Sequence, residues 1–386
     1  MAGSTLRVLV VGAGIAGLAV ARALRLAGFR PEVIDRLPPP SSMVDGAPSD
    51  VEHPAAPLAY RPTGIYLPGN AARALRDLDL HGPVRPLGQV IHRQRFLDAR
   101  GRELCEVDLT KLWAGVGECR ALPTTDLHRV LLTGAGGEVR YDVEVRRLEL
   151  TIDAVFVTFG DGRQAEYDLV IGADGRRSAV RALAALGGPA RPAGQVVYRS
   201  VVSGGPSLVD WTGLLGQRAG FVAMPMGSGR LYCYADEAGT TVPADPLARL
   251  REVFGDYGGP VPAILARVQQ VQVAVTDEVE LGRWSRGRVV LVGDAAHATA
   301  PTLAQGAAMA LEDALVLVRE LQRAANVPTA LLGYESRRRP RIKWVSDRTR
   351  DRDRTRDVPP ALRDPLLRGR GGRIFQEHYR LLVDPA

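Results

Sequence analysis

The sequence predicts an α/β fold, in which a parallel nucleotide-binding sheet is interrupted by an inserted mixed-sheet domain and followed by a C-terminal helical segment. Three observations predict it. An apolar, valine-rich run at 8–11 leads directly into Gly12-Ala13-Gly14-Ile15-Ala16-Gly17 and an alanine-rich helical stretch. Short apolar strands near residues 170 and 290 each run into an acidic glycine turn, Asp174-Gly175 and Gly293-Asp294. Between those two turns the texture changes to alternating strands with helical stretches, as a separate domain with its own sheet would show. The frame is Rossmann-like.

Taken in order, the first helix covers 18–27 and is closed by Gly28, and a second strand at 31–34 ends at Asp35, completing a βαβ opening. The Pro/Ser/Gly-rich stretch 37–62 has neither helical nor strand period and is expected to be a surface loop. Helical spacing returns at 70–80, and 125–132 is a short helix with Thr124 or Thr125 as its cap. Residues 144–150, 154–159 and 164–167 form a meander that turns at Gly160-Asp161-Gly162 and feeds a buried strand at 169–172. Strands are expected at 195–202, 220–224 and 230–235, and helices at 246–254 and 262–268. A buried strand at 288–292, a long apolar helix at 303–324 and a helix at 327–344, broken near Pro340, complete the reading.

A chain of 386 residues, 46% hydrophobic, buries a substantial core in two or three domains. Its apolar runs are far shorter than the roughly 20 residues that span a bilayer. The N-terminus leads straight into the first strand without a signal-peptide pattern, so the expected location is cytoplasmic. The formal charge of +7 is almost all arginine, since Lys111 and Lys343 are the only lysines. Much of that arginine lies between Arg337 and Arg373, interleaved with Asp347, Asp351, Asp353 and Asp357. This reads as a solvated helical face, and no recognition motif supports nucleic-acid binding. Cys105, Cys119 and Cys233 are odd in number and lack any C-x-x-C spacing, which argues for reduced thiols and against a metal site.

The first glycine motif has the context a dinucleotide requires. Gly12 permits the tight turn, Gly14 lets backbone approach a pyrophosphate, and Gly17 allows close helix packing, with Ala13, Ile15 and Ala16 supplying amides between them. The free amides and dipole of the following helix favour phosphate charge. Asp35, 23 residues after Gly12, is in register to accept hydrogen bonds from a ribose. This motif alone leaves NAD and FAD both open. At the third motif, a strand ending in Gly293-Asp294 puts a carboxylate at the sheet's carboxyl edge, where it can accept from a polyol. Pro301 to Gly306 then turns into a helix beginning near Ala307, whose amides can stabilise developing negative charge. His297, without Ser or Cys partners, is read as structural.

Together, the run Asp168-Leu169-Val170-Ile171-Gly172-Ala173-Asp174-Gly175-Arg176-Arg177-Ser178 and the run Gly293-Asp294-Ala295-Ala296-His297, with Pro301 and Gln305-Gly306 beyond, resemble the D-G and G-D motifs of the class A flavoprotein monooxygenases, the para-hydroxybenzoate hydroxylase-like family. The resemblance covers residue 8 to about 339, in the family's order. It implies non-covalent FAD, NADH or NADPH as co-substrate, and molecular oxygen. In that chemistry FAD is reduced, oxygen adds to give a flavin hydroperoxide, and its distal oxygen passes to an aromatic or polycyclic small molecule. Implied cofactor residues are Gly12, Ala13, Gly14, Ile15, Ala16, Gly17, Asp35, Asp174, Gly293, Asp294, Pro301, Gln305, Gly306 and Ala307. Arg36, Arg61 and Arg120 are further cation candidates for its phosphate, adenosine or flavin ends. The segment from Arg176 to Arg181 also supplies cations for phosphates.

The resemblance assigns residues 1–68, 101–182 and 283–325 to the FAD-binding domain, 69–100 and 183–282 to the substrate domain, and 326–386 to the C-terminal helical segment. No protein nucleophile is expected. Substrate-pocket candidates are Arg199, Met224 and Tyr232, with Tyr198 and Val222 nearby; Arg199 can hold a carboxylate or phenolate, or be an exterior sheet arginine. Two departures stand out. Ala304 occupies a position where the family commonly has glycine, so the loop beside the flavin is expected to sit differently. Thr124-Thr125-Asp126-Leu127 also lacks the family's preceding arginine. A same-fold flavoenzyme that epoxidises, cyclises or otherwise oxidises a terpenoid or polyketide stays open, as do a flavin-binding regulator and the choice between monomer and homodimer. A flavin halogenase lacks its Trp-x-Trp-x-Ile-Pro segment here, and a plain NAD-dependent dehydrogenase does not need the second and third motifs.

Overall fold

The computed structural model describes residues 6–39 and 63–386, so most of the expected loop 37–62, and Arg61 with it, lies outside the described residues. Strand Val8–Val11 sits inside a six-stranded sheet ordered Ser285–Arg286, Val289–Leu291, Leu169–Gly172, Val8–Val11, Glu32–Ile34, Val139–Arg140. Every pairing except the first is parallel. Val8–Val11, Leu169–Gly172 and Val289–Leu291 are buried along their whole length. That is why they read as continuous apolar runs rather than alternations. The second strand in sequence lies on one side of the first and Leu169–Gly172 on the other. The order therefore reverses at Val8–Val11, which opens a crevice at the carboxyl ends of the strands.

Helix Ile15–Leu26 packs between helices Gly306–Arg323 and Thr124–Ala135. The last of these starts at Thr124 behind Pro123, so neither threonine is its cap. Instead the Thr124 hydroxyl meets that of Thr63, 3.1 Å away, and the Thr124 amide donates to the Thr63 carbonyl. Helix Gly69–Asp77, expected with the substrate domain, packs on helix Gly306–Arg323.

The second large sheet has seven strands, ordered Gln272–Glu278, Arg191–Ser203, Arg230–Ala238, Ala219–Pro225, Trp211–Leu215, Arg93–Asp98, Glu103–Asp108. All pairings are antiparallel except Trp211–Leu215 with Arg93–Asp98, so the sheet is mixed. Glu103–Asp108 joins it from within the stretch expected in the first domain. Asp98 turns that hairpin by accepting from the amides of Arg100 and Arg102. One face of the sheet is covered by helices Pro246–Phe254 and Val261–Leu265, with Tyr198, Phe221, Phe254 and Ile264 in the layer between. The other face turns toward the six-stranded body.

Two expectations about the C-terminal segment are corrected. Helix Val327–Arg354 runs unbroken through Pro340. A proline inside a helix costs about 3 kcal/mol, and here the flanking Arg338 and Arg341 are both anchored to carboxylates that hold the helix in place. Nor is the segment a solvated face: Arg338, Arg341, Arg352, Arg356 and Arg363 are all buried. Each has carboxylates, carbonyls or aromatic faces that replace water. Helix Pro360–Glu377 then packs on strand Glu103–Asp108. The three cysteines are free, and burial pushes each thiol up to about 12.

Candidate active site

The three glycine motifs meet at the sheet's carboxyl edge. The Gly12 amide donates to the Ile34 carbonyl at 2.7 Å, the Ala173 amide to Val11 at 2.8 Å, and the Val292 amide to Gly172 at 3.0 Å. Gly12 has φ +109° and no room for a side chain, because an added Cβ would lie 2.5 Å from the Ala173 carbonyl oxygen. A Cβ on Gly17 would fall 1.8 Å from the Gly12 carbonyl, and one on Gly293 would fall 2.8 Å from the Ala16 methyl. Gly14 and Gly306 are different, since an added Cβ on either meets nothing within 4 Å. They stand at the N-termini of helices Ile15–Leu26 and Gly306–Arg323, and neither terminus has a side-chain cap. Helix N-termini leave amides without intrahelical partners, and at both ends those amides face the same crevice without a side-chain cap.

The backbone around this crevice is held by side chains. Asp35 is buried; one of its oxygens accepts from the Ala13 amide at 2.8 Å and the other from Leu37 at 2.9 Å. The His128 ring holds the Ala13 carbonyl at 2.8 Å. Asp294 is exposed at the edge and caps no helix. Ala304 adopts φ +51°, so the turn after Pro301–Leu303 keeps a left-handed residue without the glycine. A Cβ in that region is strained.

Below the crevice lies a buried charged network. Glu312 accepts from Arg338 at 2.7 Å and from Arg341 at 2.7 and 2.9 Å, and Asp313 from Arg338 at 2.7 Å and the His297 ring at 2.7 Å. Asp313 also accepts from the Gly293 amide. Burial pushes both carboxyls up, but the His297 and Arg338 charges hold Asp313 down at about 2, and the two arginines keep Glu312 below its ordinary value. The Asn70 side-chain NH2 bridges Glu312 and the Gln305 carbonyl oxygen, at 3.1 and 3.0 Å. Because the ionised Glu312 can only accept, the amide orientation of Gln305 is set.

Facing the crevice, period-two alternation puts Arg199, Tyr232, Tyr234, Val222 and Met224 on one side of the seven-stranded sheet. The Arg199 guanidinium lies 5.6 Å from the Tyr234 ring and hydrogen-bonds Tyr232. The Tyr234 hydroxyl is buried without a hydrogen-bond partner among the described residues, as is Nε of Arg230, on the same face. Tyr232 packs on strand Gly64–Leu67, where a Cβ on Gly64 would come within 2.2 Å of its ring.

A family model described as an FAD binding domain matches residues 5–349. Aurachin C monooxygenase/isomerase of Stigmatella aurantiaca is 32% identical over 346 residues, covering 86% of this chain and 84% of its own. The 2-heptyl-3-hydroxy-4(1H)-quinolone synthase of Pseudomonas aeruginosa is 32% identical over 356 residues, covering 88% and 86%. Among solved structures, HpxO of Klebsiella pneumoniae complexed with FAD and uric acid aligns with a TM-score of 0.76 at 26% identity, over 98% of this chain and 92% of that one. The chain is a class A flavoprotein monooxygenase.

In this monooxygenase several singled-out residues are engaged by the protein's own groups. Asp174 turns its carboxylate to the Ser178 hydroxyl and the amides of Ala179 and Val180. Arg181, expected to serve phosphates, is buried, with its guanidinium spent on the carbonyls of Gly188, Ala295 and Arg176. Arg120 is likewise engaged by the Leu87 carbonyl and Glu118, whereas Arg36 is exposed beyond the second strand. Tyr198 points away from Arg199 into the helix-covered layer, where its hydroxyl donates to Glu237. Asn70, Arg230, Tyr234 and the Glu312–Arg338 network escaped the sequence reading. The signal for the last was a Glu-Asp pair inside an otherwise apolar helical run.

Proposed function

We propose that this monooxygenase uses NADH or NADPH and molecular oxygen to hydroxylate an electron-rich aromatic or polycyclic small molecule, with Arg199, Tyr232, Tyr234 and Met224 walling the substrate pocket. The observation that carries the reading is the convergence of two uncapped helix N-termini, Gly14 and Gly306, on one crevice opposite a sheet face that holds an arginine and two tyrosines. The residues present fit FAD. Open space at Gly14 and the amides of Ile15, Ala16 and Gly17 suit a pyrophosphate. Exposed Asp294 suits the ribityl hydroxyls, and Gly306 and Ala307 suit the flavin ring edge on which reduction leaves negative charge. Once bound, FAD supplies hydride acceptance and oxygen activation.

The protein's own contribution is orientation and the exclusion of water. Arg199 is half-buried, and one of its contacts is a phenol. It can therefore fix an oxygen-bearing or anionic ring by a charge-assisted hydrogen bond and favour the electron-rich phenolate form. The apolar Val222 and Met224 flank it and keep the ring in a dry pocket. The balance is one reductant, one oxygen molecule, one substrate and one proton giving oxidised nicotinamide, water and hydroxylated product. The names of the relatives, a quinolone synthase and a urate hydroxylase among them, support an aromatic heterocycle. The three free cysteines support a cytoplasmic location.

Incubation with NADPH or NADH under isotopically labelled oxygen, against a panel of phenols, quinolones and purines, tests this. One labelled oxygen atom in the product, with substrate-stimulated nicotinamide oxidation, is expected. Arg199→Met is expected to raise KM for an acidic substrate by roughly tenfold or more. Bound FAD without turnover on any substrate would favour the regulator reading instead.

A further inference from the structure

The chain from residue 350 on, the last turn of helix Val327–Arg354 and all of helix Pro360–Glu377, lies beyond the stretch that the family model covers, yet it touches both walls of the cleft. Thr302, in the turn Pro301–Leu303 that leads to the Gly306 helix, donates its hydroxyl to Asp353 at 2.6 Å. Asp353 is paired with Arg356, which is also within 3.5 Å of the Thr302 hydroxyl. Arg356 pairs in turn with Asp236 on strand Arg230–Ala238. By alternation Asp236 shares its face with Tyr232 and Tyr234, and it is buried, as is Arg356. Gly220, opposite Asp236 on the next strand, leaves the space in which both lie: an added Cβ there would be 3.2 Å from the carboxylate and 3.8 Å from the guanidinium.

Around this chain the same segment is bolted to the substrate-facing sheet. Arg363 donates to the carbonyls of Gly216 and Leu215, and Arg352 lies over Phe96 at 4.9 Å. The Pro301–Leu303 turn is anchored on its inner side by Leu303, buried in the core, and its polar side chain, Thr302, turns to Asp353.

We propose that Asp353 and Arg356 are positioning residues, which clasp the Pro301–Leu303 turn beside the flavin site to Asp236 on the substrate-facing sheet and so set the spacing across the cleft where oxygen is transferred. The proposal rests on the reading above that this turn borders FAD and this sheet face borders substrate. An ion pair of this kind is well suited to fixing geometry: it is buried, so solvent screens it little, and it links Asp236 on the sheet wall to Asp353, which the Thr302 hydroxyl of the turn reaches.

The test uses the full-length protein and four variants. Thr302→Val removes the hydroxyl with little change of shape, Asp353→Asn and Arg356→Met break the pairs, and Arg356→Lys keeps the charge. Amide hydrogen exchange is read over residues 300–308 and 230–238, together with the FAD dissociation constant and the share of NAD(P)H electrons lost to hydrogen peroxide. Thr302→Val, Asp353→Asn and Arg356→Met are expected to speed exchange in those two segments by about tenfold, weaken FAD by a similar factor and raise the peroxide share, with Arg356→Lys partly restoring all three. Folded Thr302→Val and Asp353→Asn proteins with unchanged exchange and unchanged FAD affinity would overturn the proposal. So would a loss of protection spread evenly over the chain, which marks a merely structural role. Failure of the parent to take up FAD would strike at the cofactor reading, while exchange would still report the clasp.

Discussion

At the residue scale, the two open glycines separate folding from ligand binding. Gly14 has φ −78°, which any L-residue tolerates, and a Cβ there meets no protein atom. Gly14→Ala is therefore expected to leave the stability of the FAD-free protein unchanged within about 0.5 kcal/mol, yet to weaken FAD binding by roughly tenfold or more, read by flavin fluorescence titration. Gly17→Ala, by contrast, drives a methyl group into the Gly12 carbonyl and is expected to damage the fold itself. Ala304 is the converse case, a side chain held at φ +51°. The left-handed conformation costs about 1–2 kcal/mol and glycine's extra chain entropy about 0.5–1 kcal/mol, so Ala304→Gly is expected to stabilise by about 0.5 kcal/mol in urea unfolding. The Gly12 turn was legible in the sequence because only glycine satisfies its φ. At Ala304 the resemblance marked the missing glycine, but the left-handed turn imposed there was not legible, because composition does not reveal that a fold will impose it on a residue that resists it.

At the element scale, helices Gly306–Arg323 and Val327–Arg354 are joined by buried charges rather than by an apolar seam alone. Arg338→Met would leave Glu312 and Asp313 without the cation they share, and a broken buried pair costs about 3–5 kcal/mol, measurable by chemical unfolding. The same pairing makes an acid-sensitive contribution. Asp313 titrates near 3.8 when unfolded and is held at about 2 in the fold. Its stabilisation is thus complete above pH 3.8, is lost as pH falls toward 2, and amounts to about 2 kcal/mol. Asp313→Asn is expected to flatten the pH dependence of stability in that window. The apolar strands Val8–Val11, Leu169–Gly172 and Val289–Leu291 announced themselves by composition, since buried parallel strands have no polar face to disguise them. Arg93–Asp98 and Glu103–Asp108 did not, because their alternating charges pair across an exposed hairpin, as Arg95 does with Glu103. Side-chain direction decided the rest: Tyr198 and Arg199 are neighbours in sequence and lie on opposite faces of one sheet.

At the scale of the whole molecule, the architecture places a cofactor crevice at the strand-order reversal and roofs it with a second sheet, and the C-terminal helices fasten the two. The order of the three glycine motifs along the chain made the first of these legible. The fastening was hidden because a run of arginine and aspartate looks the same in sequence whether it faces solvent or, as at Arg338, Arg341 and Arg356, pairs inside the protein. Reconstitution tests the central claim most directly: the purified protein is incubated with FAD, desalted, examined for visible flavin absorption, and then mixed with NADPH in the absence and presence of an aromatic substrate. A retained two-banded flavin spectrum that NADPH bleaches without oxygen, faster with substrate, and that air restores is the expected result. A colourless protein after desalting, at FAD concentrations that saturate other flavoproteins, would contradict the account.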